Sequence, residues 1–334
     1  MGRPEGMNRR QIGPREADGS MERIQRNLRW FHHISLGVWI LALITMILGP
    51  YVRAENAGLS CPDWPLCFGH VVPPYEYRVY LEFIHRVFAG VLLGPLFIVW
   101  LVLSWLDRSL RKKFGLWTLL AALVLAVQIF LGRQTVTMLL NPYIVKSHLL
   151  NALILLGIML LVWRRARIWM KTGSLEDKPV TGAVLLQRIL VVALLVQIYL
   201  GGRVSANEAG LACTTFPACY TVQDPETGEK EGIYFPPMIG HTEMHITHRL
   251  GGYALFLYVI VLALVGRSTF RFRRNAIFLG LLTLQILLGA LNVLYSLPVP
   301  VTVLHSAMAM ALFILAVITT IDTRTGYGDY RKPA

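Results

Sequence analysis

Glu82-Phe83-Ile84-His85-Arg86 and His245-Ile246-Thr247-His248-Arg249 each open a long apolar run, and each run is followed by another apolar segment with a histidine of its own, His148 and His305. The repetition extends upstream. Glu55-Asn56-Ala57-Gly58-Leu59-Ser60-Cys61 aligns with Asn207-Glu208-Ala209-Gly210-Leu211-Ala212-Cys213 at an offset of 152 residues, and Cys67 aligns with Cys219 at the same offset. Downstream, His85 maps to His248 at 163, while Gln128-Ile129-Phe130-Leu131-Gly132 maps to Gln285-Ile286-Leu287-Leu288-Gly289 and His148 to His305, both at 157. Order is kept and only loop lengths change, which is the signature of a duplicated unit.

The 334 residues are 55% hydrophobic and 15% charged, with a mean hydropathy of +0.53, too apolar for one soluble core. Eight runs are long enough to cross a bilayer: residues 34–52, 80–105, 115–133, 146–163, 183–202, 244–266, 275–293 and 301–320. The expected fold is therefore an all-α membrane protein whose eight transmembrane helices form two four-helix repeats. An even number of spans per repeat makes the halves parallel, related by a pseudo-two-fold axis along the membrane normal. This divides the chain into a tail at 1–33, an N-terminal repeat at 34–163, a linker at 164–182, a C-terminal repeat at 183–320 and a tail at 321–334.

A formal charge of +13 would suit nucleic acid, but its placement does not. Arg3, Arg9, Arg10, Arg15, Arg23, Arg26 and Arg29 precede span one; Arg108, Arg111, Lys112 and Lys113 follow span two; Arg164, Arg165, Arg167, Lys171 and Lys178 follow span four; Arg267, Arg271, Arg273 and Arg274 follow span six. Arg324, Arg331 and Lys332 lie in the C-terminal tail. By the positive-inside rule both termini and these loops are cytoplasmic, and the loops at 53–79, 134–145, 203–243 and 294–300 face outward. The tail mixes arginines with Glu5, Glu16, Asp18 and Glu22 and does not read as a cleaved leader, so the expected home is a bacterial-type cytoplasmic membrane.

Both cysteine pairs, Cys61 with Cys67 and Cys213 with Cys219, fall in outward loops where disulfides persist. One bridge per loop is the simple reading, constraining the unfolded loop by roughly 2 kcal/mol. A redox pair that exchanges electrons or captures metal is the competing one.

His85, His148, His248 and His305 open spans that all run inward, so they sit at similar depth near the outer surface. Imidazoles from alternate spans of one half can clamp a porphyrin iron from both faces, and a neutral ring costs far less to bury than a charge. Two haem-iron sites follow, one per repeat, against the alternatives of a proton relay or helix-to-helix hydrogen bonds. His241, His245 and His248 also share a helix face at zinc or copper spacing, a weak signal because His248 already belongs to a matched pair. His32, His33 and His70 have no repeat counterparts and take no ligand role. Arg86 and Arg249 follow the first ligand of each pair, where a guanidinium can hold haem propionates or anchor lipid phosphate. Glu82 breaks the symmetry, since its counterpart is His245. One turn before His85, it is either an acid/base group beside the porphyrin edge or a helix-start charge favoured by the dipole.

The motifs Glu82-x-x-His85-Arg86, His148-Leu149-Leu150-Asn151, His248-Arg249-Leu250-Gly251-Gly252 and Leu304-His305-Ser306-Ala307, with the paired loop cysteines, resemble the haem A synthase family over the whole eight-span body. The resemblance implies oxidation of a ring methyl of haem O to a formyl group, giving haem A for terminal oxidases. It implies that His85 and His148 hold the substrate haem O, that His248 and His305 hold a resident haem b, that Glu82 is the catalytic carboxylate, and that Cys61 and Cys67 matter for activity. Implied partners are haem O, the lipid bilayer, the enzyme that forms haem O and an electron acceptor such as a quinone; a homo-oligomer is compatible with it, and nucleic acid is not expected. The rival reading from the residues alone is a di-haem b-type electron carrier linked to quinol that leaves its haem unchanged.

Overall fold

The computed structural model describes residues 14–217, 219–223, 230–234, 239–265 and 269–327. The outermost parts of both predicted tails, with Arg3, Arg9, Arg10, Arg331 and Lys332, and the loop cation Arg267 lie outside these residues. Eight helices carry the body: α1 (Pro14–Ala54), α2 (Tyr77–Leu106), α3 (Arg108–Thr137), α4 (Pro142–Thr172), α5 (Gly182–Ala206), α6 (Gly240–Val265), α7 (Thr269–Leu294) and α8 (Val299–Thr325). All eight are long and apolar enough to span a membrane, as hydropathy predicts. A short antiparallel pair, β1 (Tyr220–Gln223) and β2 (Lys230–Tyr234), decorates the loop between α5 and α6.

Side chains set several helix starts. The Asp107 carboxylate, in the break between α2 and α3, accepts from the Ser109 and Leu110 amides at 2.8 and 3.0 Å and from the Asn27 side chain at 2.8 Å. Glu76 caps α2 through the Val79 amide at 3.1 Å, and Asn141 caps α4 through Tyr143 at 3.0 Å, with Pro142 in the first helical position. Two helices run well past their apolar cores. α1 begins twenty residues before the span predicted at 34 because Leu28, Phe31 and His32 continue a buried stripe while Arg23, Arg26 and Arg29 face outward. α4 runs on to Thr172, into the stretch predicted as linker, because Arg164, Ala166 and Ile168 stay buried. Hydropathy scores apolarity, not periodicity, so it misses such amphipathic turns.

Within the first four helices, α1 packs on α2 and α4, and α3 packs on α2 and α4; the last four repeat the scheme, with α5 on α6 and α8, and α7 on α6 and α8. The helices that carry the histidines, α2 with α4 and α6 with α8, thus stand diagonally. With neighbouring axes 8–10 Å apart, diagonal axes lie about 11–14 Å apart, room for side chains to meet in a lane. The two sets join through α1, α4, α5 and α8. Leu153, Leu156, Met159 and Leu160 of α4 and Leu312, Phe313 and Ala316 of α8 are buried at this centre, where Gly157 lets the Phe313 ring approach to 3.3 Å from where a Cβ would stand. Arg164 and Asp322 lock the same two helices by a bidentate pair at 2.7 and 2.8 Å. Leu106, Leu116, Val91 and Leu257 are more than half exposed, as lipid-facing positions should be.

The hairpin turns match as well. Leu139 and Leu140, between α3 and α4, both adopt positive φ (50° and 57°), as do Ser296 and Leu297 between α7 and α8 (58° and 61°). Left-handed backbone at a non-glycine residue costs about 1–3 kcal/mol. The Leu140 side chain seats on Gly58 of the first outer loop and Leu297 on Gly210 of the second, at 3.4 and 2.9 Å from a built Cβ, so packing at the same end of the molecule offsets the strain.

Candidate functional site

Each of the four histidines stands about two turns from the end of its helix that carries the disulfide loops, and each is half-buried. Each lies against a glycine of the helix before it. A Cβ built on Gly49, Gly132, Gly201 or Gly289 would stand 3.8, 3.2, 2.9 or 3.1 Å from Cε1 of His85, His148, His248 or His305 respectively. One turn before each glycine comes the residue whose backbone faces the ring: Thr45, Gln128, Gln197 and Gln285. At three of the four this residue also supplies an amide side chain. Gln128 Nε2 lies 3.2 Å from His148 Nδ1, Gln197 Nε2 3.1 Å from His248 Nδ1, and Gln285 Nε2 3.2 Å from His305 Nε2. Asn151, one turn beyond His148, donates to Gln128 Oε1 at 2.8 Å and orients that amide.

His248 and His305 face each other across the second bundle with ring centres 6.4 Å apart and planes 75° from parallel. Two imidazoles bound from opposite sides to one metal atom at about 2 Å stand roughly 6 Å apart centre to centre, so the spacing suits a shared iron. His148 lies within electrostatic range of His85 in the first bundle. Buried polar atoms without a partner gather at these rings: Nδ1 of His85 and His305, and Oε1 of Gln197 and Gln285. The imidazole donors and orphaned atoms of both bundles, and the ring spacing of the second, fit a porphyrin iron held between diagonal helices.

The arginines do something the sequence did not foretell. Arg86 Nη1 donates to the backbone carbonyls of Asp63 and Leu66 at 2.6 and 2.7 Å, and its Nη2 donates to the Cys61 carbonyl at 3.2 Å and to Glu82 Oε1 at 2.5 Å. Both terminal nitrogens of Arg86 are thus engaged within the protein, by the first outer loop and by Glu82. Arg249 repeats the grip on the second loop, donating to the carbonyls of Thr215, Pro217 and Cys213 at 2.8, 3.4 and 3.0 Å. Both loops close by disulfides, Cys61–Cys67 and Cys213–Cys219, whose Cα atoms lie 4.8 and 4.6 Å apart, and all four cysteines are buried. Asp63 tightens the first loop by accepting from the amides of Gly69 and Phe68 at 2.8 and 2.7 Å. The Gly69 bond foremost, with Phe68 and the Arg86 charge adding to it, holds the Asp63 carboxyl below the usual aspartate value.

Glu82 is buried at 4% exposure, yet it is not an isolated carboxyl. Its Oε2 accepts from the Cys61 amide at 2.9 Å, and its Oε1 is paired with Arg86. The counterpart His245 uses Nδ1 to meet the Ala209 carbonyl at 3.1 Å. The helix face of His241, His245 and His248 therefore does not assemble as a zinc or copper site, and no cluster of three or more metal-ligating side chains occurs among the described residues. His32 stacks on Trp163 at 6.2 Å near the opposite end, and His70 is exposed in the first loop.

The family model described as cytochrome oxidase assembly protein, COX15-CtaA, matches residues 32–79 and 74–317. A protein of Shewanella oneidensis named "Heme A synthase" is 33% identical over 325 residues, covering 87% of this chain and 95% of its own. The chain belongs to the COX15-CtaA family. Proteins of the same name from Alkalihalophilus pseudofirmus (25% identical, 88% of this chain and 96% of theirs) and Rhizobium etli strain CFN 42 (27%, 88% and 89%) also align along most of their length. In this COX15-CtaA member, the sequence marked Gln128, Gly132, Gln285 and Gly289 only as repeat landmarks, and neither their place behind the histidines nor the pairs Thr45/Gly49 and Gln197/Gly201 was recognised. The signal was present: the glycine falls four residues after the polar residue in all four helices, as Thr45/Gly49, Gln128/Gly132, Gln197/Gly201 and Gln285/Gly289.

Proposed function

We propose that this protein is a haem A synthase: it oxidises a methyl group of haem O, through a hydroxymethyl stage, to the formyl group of haem A for terminal oxidase assembly. The single observation that carries the reading is two matched histidine couples on diagonal helices, in a chain aligned along its length with proteins named "Heme A synthase". In this reading the two bundles are copies related by a pseudo-two-fold axis. The contact of Arg53 with the Ser205 carbonyl at 3.0 Å supports it, because Ser205 is the repeat counterpart of Arg53 and such self-contacts belong near an axis. Both termini are cytoplasmic and the disulfide loops face outward, across a cytoplasmic membrane.

His85 and His148 hold the substrate haem O, and His248 and His305 hold haem b, each ring steered by the preceding helix. Haem b supplies a one-electron relay when bound. Taking a methyl to a formyl with water as the oxygen source releases four electrons and four protons. Glu82 is the catalytic carboxylate: it accepts a proton, or steadies positive charge, at the reacting methyl carbon. Arg86 and the Cys61 amide hydrogen-bond that carboxylate from two sides and fix its place. Arg86 and Arg249 act on the porphyrins through the loops they clamp, as a roof over each bundle. The partners are haem O, the enzyme that delivers it, and a quinone-type electron acceptor.

Expression with a haem O supply, followed by pigment extraction, should yield haem A and its hydroxymethyl precursor. Glu82→Ala should abolish both while haem b stays bound. Recovering haem b alone, with rapid quinol oxidation, would instead mark an electron carrier.

A further inference from the structure

The four histidines are not held alike. His148, His248 and His305 each have a glutamine amide on the preceding helix within 3.1 to 3.2 Å of a ring nitrogen. At His85 the corresponding residue is Thr45, whose hydroxyl donates to the Leu41 carbonyl of its own helix at 2.8 Å and is thereby engaged. Nδ1 of His85 is buried without a hydrogen-bond partner, as is Nδ1 of His305, but His305 still has its glutamine amide at Nε2 and His85 has no glutamine at either nitrogen. Its glycine contact is also the loosest, 3.8 Å at Gly49 against 2.9 to 3.2 Å at the other three.

The helix beneath it differs too. A π-helical segment, Val87–Leu93, begins two residues after His85, whereas α6 is α-helical from Gly240 to Val265 past the matching His248. This wide turn has room on its open side: a Cβ on Gly90 or Gly94 would meet nothing within 4 Å, while Val91 faces lipid and Leu93 alone of the segment is buried. A π-segment is a stored register shift, and its conversion to α-helix turns the residues beside it.

Outer partners fix the ring orientation of a ligating histidine and raise its basicity, and their removal typically weakens metal binding about 10- to 100-fold. Resting on the haem assignment above, we infer that His85 is the one axial ligand of the four built to release, opening a coordination position on the substrate iron while His148 keeps hold of it. The bond that breaks is iron to His85 Nε2, and the electron pair stays on the nitrogen. Thr45 and the π-segment are the positioning elements that permit it. A site closed by two imidazoles has no room for a further ligand, so release at His85 is what admits a water or diatomic ligand and lets the product haem leave.

Carbon monoxide reads this without turnover, because it binds only a ferrous haem with an open or releasable position. In the purified, reduced protein with both haems retained, carbon monoxide should shift the spectrum of the haem O-type pigment and leave the haem b spectrum unchanged. Thr45→Gln should cut that binding about tenfold or more, and Gln197→Thr should make the haem b site reactive. Reactivity at haem b alone, at neither haem, or undiminished in Thr45→Gln overturns the inference. A second pair of variants guards against poor folding: His85→Ala should keep near-normal haem in the first bundle, in a high-spin state, while His148→Ala should lose it. The reverse pattern of retention also overturns the inference. Extraction of only one haem from wild-type protein refutes the two-haem reading underneath as well, which separates the two failures.

Discussion

The first and second bundles share their plan and differ in what surrounds the first histidine of each. In the second, His248 has a glutamine behind it, an unbroken helix under it and a histidine, His245, one turn before it. In the first, His85 has a threonine, a π-segment and a buried, paired glutamate. In the function proposed above, both halves grip a porphyrin by the same means, a histidine couple backed by the preceding helices. The threonine, the π-segment and the buried glutamate all fall in one copy, which is the asymmetry that the proposed division into a permanent cofactor site and a turnover site calls for.

The sharpest way to break the comparison is to remove one ligand from each half. His148→Ala should eliminate the pigment of the first bundle and all haem A formation, and His305→Ala should eliminate haem b, both read by haem extraction; loss of both pigments from either change would mean that the bundles are not separate sites. Next in size, Glu82→Gln should lower product formation about 10²- to 10⁴-fold with both haems in place. The matching change His245→Gln should cost less than about tenfold.

Smaller effects sharpen the comparison. Gln285→Ala should weaken haem b retention about 10- to 100-fold in a competition assay with apomyoglobin, leaving the first bundle's pigment in place. Gly201→Ala forces a methyl to 2.9 Å from the His248 ring and should destabilise the protein by about 1–3 kcal/mol in detergent unfolding, whereas Gly49→Ala, with 3.8 Å available, should be nearly silent. The smallest effect concerns the loops. Asp63 has its pKa depressed by folding, so the stability it contributes is present above the unfolded value and is lost as pH falls through the lower folded one. Amide exchange at Phe68 and Gly69, corrected for its intrinsic pH dependence, should therefore rise in acid, and Asp63→Asn should flatten the response. The second loop has Thr215 at the equivalent position and should show no such step.

Much of the fold was legible without coordinates, because a bilayer demands long apolar helices and duplication leaves offsets that can be counted. Spans, loop cysteines and the four histidines follow from that. The ends of α1 and α4 were not legible, since their outer turns bury one stripe and expose charges. Nor was the work of the arginines. Arg86 and Arg249 donate to backbone carbonyls of the disulfide loops, contacts that spacing along the chain did not announce, because a carbonyl removed from water takes a nearby donor. The desolvated glutamate expected beside the porphyrin is a paired one, for the same reason.

Sequence alone determined that this chain has eight segments long and apolar enough to cross a membrane, and that its cysteines, glutamines and four histidines recur in the same order at offsets of 152 to 163 residues; these are matters of local composition, period and spacing. Tertiary structure decided which of those side chains are held tightly. That depends on glutamines, glycines and loop carbonyls 16 to 51 residues away in the chain coming within about 3 to 4 Å of a ring or a charge. Only packing brings them there, and in low dielectric each such contact, made or missing, sets how firmly a ligand stays.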